Sequence, residues 1–226
     1  MKEPILEVNN LRVSFRTYNG NVQAVRGIDF KLFEGETLAI VGESGSGKSV
    51  TTKAILGILP KNSIIEDGQI LYKGDDLTKY KEKDFYKLRG KEISLIFQDP
   101  LSALNPIMRI GKQITEALVL REHMTKEQAH KRALELMEMV GIPNPEVRFH
   151  QYPFQFSGGM RQRIVIAIAL ASNAKIMICD EPTTALDVTI QAKILDEIKA
   201  IKQREKLSVI FITHDLGVVA NMADRI

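Results

Sequence analysis

Four short segments of this chain are almost continuously apolar, and polar or glycine-rich residues follow each of them at once. In chain order they are TLAIV (37–41), EISLIF (92–97), KIMIC (175–179) and SVIFIT (208–213). Apolar runs without alternation are typical of parallel strands that are covered on both faces. The pattern therefore predicts an α/β fold with a mostly parallel sheet. Ligands bind at the carboxyl ends of such strands, so the following segments are candidates for a binding site: GESGSGKS, QDP, DEPTT and HD.

The N-terminal part of the chain alternates between apolar and polar residues instead. The alternation runs through ILEVNNLRVSF (5–15) and AVRGIDFKLFEGE (24–36), with the turn residues YNG between them. Short alternating segments that are separated by turn residues are typical of antiparallel strands. We therefore expect an N-terminal antiparallel β subdomain.

The chain between Gln98 and Phe156 has helical spacing. Thr125 is a predicted N-cap, with Gln128 at the capping-box position. The helical spacing continues through four apolar residues: Ala133, Leu136, Met137 and Val140. The glycine and proline of VGIP then end the helix. The predicted organisation is a single domain with these parts: a core of residues 1–98 and 156–226, and an inserted α-helical subdomain at 99–155.

The composition limits the possible functions. The 226 residues include 31 Lys and Arg against 28 Asp and Glu, a net charge of +3, without a long basic tail. This balance does not favour nucleic acid or an anionic membrane as a partner. The single cysteine, Cys179, excludes an intramolecular disulfide and a four-cysteine metal site, and it fits a reducing, cytosolic compartment. The longest apolar run, IVIAIALA, is too short to span a bilayer, and we expect no signal peptide at the start.

The segment GESGSGKS, from Gly42 to Ser49, matches the pattern G-x-x-x-x-G-K-[ST] between a predicted strand and the predicted helix KSVTTKAILGIL. Glycines allow successive backbone N–H groups to converge on phosphate oxygens, and the helix N-terminus adds partial positive charge. Lys48 is expected to reach the β- and γ-phosphates of a nucleotide, and the Ser49 hydroxyl to bind magnesium. The segment predicts a P-loop NTPase core; the alternative is a purely structural glycine turn.

A pair of acidic residues, Asp180 and Glu181, follows the predicted strand KIMIC. At a strand end beside a phosphate loop, Asp180 can hold magnesium through water, and Glu181 can orient and deprotonate the attacking water. The alternative is an exposed acidic turn. Three other polar residues carry little weight individually: Gln98 after EISLIF, Asp187 in TTALDV, and His214 after SVIFIT.

The order of these motifs along the chain is much more specific than any one of them. The phosphate loop, Gln98, the helical segment, FSGGMRQR, the acidic pair and the strand before His214 follow one another in the order found in ATPase domains of ABC transporters. The chain resembles that family from Ile5 to Ile226. FSGGMRQR resembles the family's signature motif. Finer similarities point to the oligopeptide/dipeptide (and nickel) importer group, in these segments: AIVGESGSGKSVT, IFQDPLSALNP, QYPFQFSGGMRQR and THDLGVVANMADRI.

The resemblance implies roles for individual residues. Gln98 senses magnesium and the attacking water, and His214 contacts the γ-phosphate and works with Glu181. Asp187, in the D-loop, lies at the partner subunit's site. An aromatic residue stacks on adenine, with Phe15 as first choice and Tyr18 as second. The implied ATP-binding residues of the phosphate loop are Gly42, Glu43, Ser44, Gly45, Ser46, Gly47, Lys48, Ser49 and Val50, and the implied magnesium-binding residues are Ser49, Gln98 and Asp180.

The signature residues Ser157, Gly158 and Gly159 are implied to bind the ATP of a partner subunit. Phe156 and Met160 replace the family's usual outer residues Leu and Gln, but the hydroxyl, the glycine amides and the helix start remain. Phe154 stands where peptide-importer relatives usually have His, and its position suggests packing rather than chemistry.

The resemblance also implies partners and a location. We expect Mg-ATP as ligand, a second ATPase subunit in a homodimer or heterodimer, and permease subunits that dock on the helical insertion. A solute-binding protein would act indirectly, and nucleic acid is not expected. The expected place is the cytoplasmic face of the cell membrane. The family's last strand and helices would follow ADRI, so we expect that part to be absent from this chain.

Two other classes of protein share these motifs, one of them in part and the other in full. A small-molecule kinase has a P-loop, but it does not need the SGG turn together with a strand-end histidine. An ABC ATPase of the DNA-repair or ribosome-associated type has all of the motifs. The repair type separates its two halves by a long coiled coil, and the ribosome type carries two domains in one chain.

Overall fold

The computed structural model describes residues 3–183 and 188–226. The described residues fall into two compact units, one formed by the chain up to Arg89 together with Ser208–Ile226, and the other by Gly90–Leu207. We call them the first and the second unit.

The secondary structure consists of strands and helices in both units. The strands are β1 (Pro4–Thr17), β2 (Gly20–Phe33), β3 (Thr37–Val41), β4 (Ser63–Tyr72), β5 (Asp75–Asp76), β6 (Ile93–Ile96), β7 (Ile176–Asp180) and β8 (Ser208–Thr213). The α-helices are α1 (Lys48–Ile55), α2 (Glu82–Leu88), α3 (Pro100–Ala103), α4 (Ile110–Glu122), α5 (Lys126–Met139), α6 (Pro145–Arg148), α7 (Gly158–Ala171), α8 (Val188–Glu205) and α9 (Leu216–Met222).

The N-terminal antiparallel β structure is confirmed, and it lies in the first unit. Its strand order is β2-β1-β4-β5, with antiparallel pairing throughout. The apolar positions of β1 are buried, which is why the alternation in the sequence is visible: Leu6, Val8, Leu11 and Val13. The sequence pattern did not identify β4. Its alternation is interrupted by Glu66, Asp67 and Gly68, and its register with β1 shifts at that place.

The continuously apolar segments form parallel strands, as predicted. In the first unit β3 pairs with β8, and in the second unit β6 pairs with β7, both in parallel. Every residue of β7 and β8 is buried. Burial on both faces explains why these strands lack alternation.

The second unit carries the helices that the sequence pattern predicted. In α5 the hydroxyl of Thr125 accepts from the backbone N–H of Gln128, and the Gln128 side chain accepts from the backbone N–H of Thr125. The buried face of α5 includes Ala133 and Leu136, and Gly141 follows the helix with φ +71°. This confirms the capping box and the helix end.

Residues 99–155 contain α3 to α6 and no strand. The compact units divide the chain elsewhere, at 89/90 and 207/208, and they place β6, β7, α7 and α8 together with these helices. The insertion boundaries at 98/99 and 155/156 therefore stay a prediction. Across residues 3–183 and 188–226, no helix combines the length and the apolar character that crossing a bilayer requires.

Glu197 on α8 provides a test of the packing in the second unit. Burial raises the pKa of its carboxyl group above the ordinary value of 4.5, against the attraction of Arg163 and Lys193. Its contribution to stability is therefore present below that ordinary pKa and is lost as the pH rises through the folded-state pKa. We expect Glu197→Gln, which resembles the neutral form, to raise the melting temperature at pH 7 by about 1–2 °C. The gain should disappear near pH 4, as measured by thermal unfolding.

The matched control for Glu197→Gln is Glu138→Gln, which changes an exposed carboxylate of α5. It should leave the melting temperature unchanged at both pH values. A lower melting temperature for Glu197→Gln at pH 7 would show that the attraction of Arg163 outweighs the cost of burial.

Candidate functional site

The phosphate loop of the first unit connects β3 to α1 and has the backbone that its glycines allow. Gly45 and Gly47 have φ of +83° and +94°, in the left-handed region that favours glycine. A Cβ on Gly47 would also lie 2.5 Å from the carbonyl oxygen of Ala24 in β2. Two independent features therefore require glycine at position 47: its left-handed backbone conformation and the close approach of β2.

Lys48 lies inside this loop. Its Nζ donates to the carbonyl oxygens of Gly42, at 2.7 Å, and Glu43, at 2.8 Å, and the residue is 9% exposed. These contacts hold the ammonium group beside the N-terminus of α1. Lys48 thus supports the shape of the loop and places a positive charge where phosphate oxygens would bind.

The N-terminus of α1 is open for an anion. Its N-cap is Gly47, which has no side chain to cap the helix, and Ser49 and Val50 lie in the first turn. A cavity of about 580 Å³ adjoins this helix start, and its wall is formed by residues 23–28 of β2 together with residues of the loop and α1. Neither Phe15 nor Tyr18 belongs to this wall. Phe15 is half-buried in β1, and Tyr18 is fully exposed in the following turn.

His214 lies at the same edge of the first unit as the phosphate loop. Val41, the last residue of β3, is paired with Thr213, the last residue of β8. Gly42 and His214 directly follow these two residues, so the parallel pairing brings them to one strand end. His214 is exposed, and Asp215 begins α9 by accepting from the backbone N–H groups of Gly217 and Val218. The structure therefore places the predicted histidine beside the start of the loop.

Gln98 and Glu181 meet in the second unit although 83 residues separate them. Ile96 of β6 is paired with Cys179 of β7, so both polar residues follow the same strand end. Gln98 Nε2 donates to Glu181 Oε2 at 2.9 Å. Glu181 has φ +48°, which is uncommon for a residue with a side chain. Strained positions of this kind concentrate at functional sites.

The residues before Glu181 are increasingly buried. Asp180 is only 7% exposed, and Cys179 is fully buried. Burial raises the pKa of the Cys179 thiol, and the nearby charge of Asp180 raises it further. The cysteine is therefore an unreactive core residue, and Asp180 is the first polar group at this strand end.

Magnesium is the metal that the motifs imply. No group of three or more His, Cys, Asp and Glu side chains gathers among the residues that the structure describes. Magnesium in nucleotide sites is held by one or two protein oxygens together with phosphates and water, so such a group is not required. Of the implied magnesium-binding residues, Asp180 and Gln98 lie in the second unit and Ser49 lies in the first. Asp187 lies outside the described residues.

The signature motif begins the long helix α7 of the second unit. Ser157 is its N-cap, with φ −65° and ψ 163°, and its hydroxyl accepts from the backbone N–H of Met160 at 3.4 Å. Ser157 and Gly158 are both exposed, whereas Phe156, which precedes them, is buried and only 3% exposed. The motif is therefore a fixed helix start that faces outward.

Gly158 is not required by the fold of its own chain. Its φ is not positive, and a Cβ built on it would meet no atom within 4 Å. Neither the backbone conformation nor packing within the chain requires a glycine here. A glycine at such a position allows a group outside the chain, such as a phosphate, to approach the backbone closely.

We expect Gly158→Ala to leave the melting temperature unchanged and to reduce ATP hydrolysis by about 10- to 100-fold, because a methyl group displaces the phosphate from the helix start. Thermal unfolding and steady-state hydrolysis of the full-length protein measure the two effects. Gly111→Ala is the contrasting control: its Cβ would clash with the Phe149 ring, so stability should fall. Unchanged hydrolysis by Gly158→Ala would remove this glycine from the site.

The sequence pattern did not predict that Arg161 ties the residues before the signature to α7. Arg161 Nε donates to the carbonyl oxygen of Pro153 at 2.8 Å, and its Nη2 to that of Phe154 at 3.5 Å. Phe154, whose position suggests packing, is 70% exposed, and its ring lies parallel to the Tyr152 ring with the centroids 5.8 Å apart. The proline that begins this turn, the only one within QYPFQF, was the available signal.

These elements define a nucleotide-binding cassette, with a phosphate loop, a strand-end Gln–Glu pair and an outward-facing signature helix. The profile of the ABC transporter family matches residues 25–184. The chain therefore belongs to the ABC transporter family.

Individual relatives are similar over nearly the whole chain. The oligopeptide transport ATP-binding protein OppD of Bacillus subtilis is 60% identical over 98% of this chain, which spans 62% of that protein. The dipeptide transport ATP-binding protein DppD of Lactococcus lactis is 57% identical over 100% of this chain, which spans 65% of it. The chain thus spans less than two thirds of the length of these two relatives.

Solved structures confirm the predicted fold. The dimeric, post-hydrolysis structure of the ATP-binding cassette MJ0796 with ADP and Pi has a TM-score of 0.85 and 28% identity. The match covers 94% of this chain and 89% of that one. The α/β cassette expected from the motif order is therefore the fold that this chain adopts.

Proposed function

We propose that this chain is the ATP-hydrolysing subunit of a membrane importer for dipeptides or oligopeptides. The observation that carries the proposal is the 60% identity, over 98% of this chain, to a protein that is named for oligopeptide transport. The relative that is named for dipeptide transport, at 57% identity, supports the same substrate class.

The proposed working form is a dimer of ATPase chains that close head to tail around two ATP molecules. Lys48, Ser49 and Asp180 of one chain hold Mg-ATP, and Ser157 and Gly159 of the other chain complete the γ-phosphate cage. The outward-facing start of α7 and the dimeric structure of MJ0796 support this arrangement. The second chain is a further copy of this one or a related ATPase.

In the proposed reaction, Glu181 accepts a proton from the attacking water. Gln98 orients both the water and the Glu181 carboxylate. The hydrogen bond from Gln98 Nε2 to Glu181 Oε2 supports this assignment, because it joins the two side chains at the end of the paired strands β6 and β7. His214 contacts the γ-phosphate, and Phe15 or Tyr18 stacks on adenine. Magnesium, held by Ser49, Gln98 and Asp180, would neutralise charge on the transferring phosphoryl group. Most of the rate gain comes from positioning and charge stabilisation.

Coupling to transport is proposed to pass through the helices at 99–155, which receive permease subunits at the cytoplasmic face of the membrane. Closure of the ATPase dimer would draw the permease subunits together, and hydrolysis would release them. A solute-binding protein outside the membrane acts on this chain only indirectly. The balanced net charge of +3 gives no support to a nucleic-acid partner.

Purification of the tagged, full-length protein from its native membrane tests this proposal. We expect permease subunits and an ATPase chain to co-purify, and peptide to stimulate ATP hydrolysis in the complex. A set of soluble partners, with stimulation by DNA or ribosomes, would support the repair or ribosome type instead. Phosphate transfer to a small acceptor would support a kinase.

A further inference from the structure

Two aromatic rings lie parallel just before the signature helix. Tyr152 and Phe154, which we call the aromatic platform, have centroids 5.8 Å apart and an interplanar angle of 9°. The guanidinium group of Arg109 lies 5.9 Å from the Tyr152 centroid. Phe154 is nevertheless 70% exposed. One side of its ring is thus supported by Tyr152, while most of its surface is left to solvent.

The aromatic platform is fixed to the helix that carries the signature. Arg161, in the first turns of α7, holds the carbonyl oxygens of Pro153 and Phe154. The Gln155 side chain accepts from the backbone N–H of Tyr152 at 2.8 Å, which closes the turn. The exposed ring therefore has a set position relative to the start of α7.

The distance along the chain matches the length of a nucleotide. Phe154 precedes Ser157 by three residues, so their backbones are at most about 10 Å apart, and the ring adds its own length. This is the scale of a nucleoside triphosphate from its terminal phosphate to its base. A phosphate at Ser157 and a base at Phe154 can thus belong to one molecule.

The surroundings of Phe154 favour a nucleobase over a protein surface. Its neighbours Gln155, Ser157 and Gly158 are exposed and polar or without a side chain. Apolar docking patches for proteins extend over several hundred Å², whereas the exposed residues that follow Phe154 in the chain, Gln155, Ser157 and Gly158, add no apolar side chain to the ring pair. Stacking on one supported ring is how proteins bind individual bases.

We propose that the aromatic platform stacks on the base of the ATP that a partner chain holds in its phosphate loop. The inference rests on the proposed function, because it requires the dimer in which Ser157 binds the partner's γ-phosphate. A base has two faces, so Phe154 complements the aromatic residue of the first strands, Phe15 or Tyr18, that is predicted to cover the other face in the partner. Arg161 acts as a positioning residue for the platform.

The test uses the full-length chain in its ATPase dimer, with Lys48→Ala in this chain, so that only the partner's phosphate loop binds ATP. Adding Phe154→Ala to the Lys48→Ala chain should weaken equilibrium binding of labelled ATP about tenfold, the loss expected from one base stack. Phe154→Trp should retain the affinity, and Phe154→Leu, which is apolar but has no ring face, should lose it. Inorganic tripolyphosphate has no base, and its binding should be the same in all four proteins.

Unchanged ATP affinity in Phe154→Ala would overturn the proposal, and so would an equal loss of tripolyphosphate binding, which would indicate a disturbed signature helix. An unchanged affinity together with lost transport would assign the ring to a membrane partner. These outcomes differ from failure of the proposed function, because in that case the unsubstituted complex lacks permease subunits or peptide-stimulated hydrolysis.

Discussion

Glu181→Gln is expected to bind ATP normally and to hydrolyse it about 10²–10⁴-fold more slowly, the usual loss when a general base is removed. The substitution is well suited to the test because Gln98 Nε2 donates to Glu181 Oε2. A glutamine at 181 still offers an amide oxygen to that donor, so the contact between the two strand ends remains. The change removes basicity and leaves the size of the side chain nearly the same.

The comparison requires separate measurements of ATP binding and of single-turnover hydrolysis in saturating Mg-ATP. Glu135→Gln, which changes an exposed carboxylate on α5, is the matched control and should behave like the unsubstituted protein. Turnover near normal in Glu181→Gln would show that another group deprotonates the water. Loss of ATP binding would indicate instead that the substitution disturbs the strand end.

Lys48→Ala is expected to have an effect of similar size, but on binding as well as on turnover. In the proposed site the ammonium group carries the charge that faces the phosphates, and it also donates to the carbonyl oxygens of Gly42 and Glu43. Its removal therefore costs both charge stabilisation and loop shape. We expect hydrolysis to fall by about 10²–10³-fold and ATP affinity to fall with it.

Lys53→Ala is the control for this prediction, since Lys53 lies in the last turn of the same helix. Its loss should alter neither binding nor hydrolysis. ATP binding measured by equilibrium dialysis and turnover measured in the same preparation separate the two effects. An unchanged affinity in Lys48→Ala would mean that the backbone amides alone hold the phosphates.

The sequence was most informative where burial or capping leaves a pattern among neighbouring residues. The parallel strands were predicted because residues such as those of β7 and β8 are buried on both faces, and α5 because Thr125 and Gln128 form a local capping box. The strand β4 was missed because its acidic and glycine residues interrupt the pattern, and only its pairing with β1 makes it a strand.

Contacts between distant residues needed the structure. The hydrogen bond between Gln98 and Glu181 depends on the pairing of β6 with β7, and no local rule predicts it. The hydrogen bonds from Arg161 to the carbonyl oxygens of Pro153 and Phe154, which lie in a short 3-10 helix, likewise join residues that no pattern in the sequence links. The resemblance to a family supplied the roles of Gln98 and Ser157, but it did not predict the aromatic platform.

In the proposed dimer, the signature of one chain completes the ATP site of the other. Ser157 and Gly158 support this arrangement because they are exposed at a helix start, and because Gly158 has no packing role within its own chain. Lys48 and Ser157 should therefore serve different ATP molecules when they belong to the same chain.

The most direct test counts the ATP that a dimer retains after gel filtration, with Glu181→Gln in both chains to prevent hydrolysis and two tags to isolate mixed dimers. Lys48→Ala in one chain and Ser157→Arg in the other place both defects in the same composite site, so we expect the other site to retain its ATP. Both substitutions in one chain damage both sites, and ATP should be lost. The opposite result, retention when the substitutions share a chain and loss when they are split, would show that Ser157 serves the phosphate loop of its own chain.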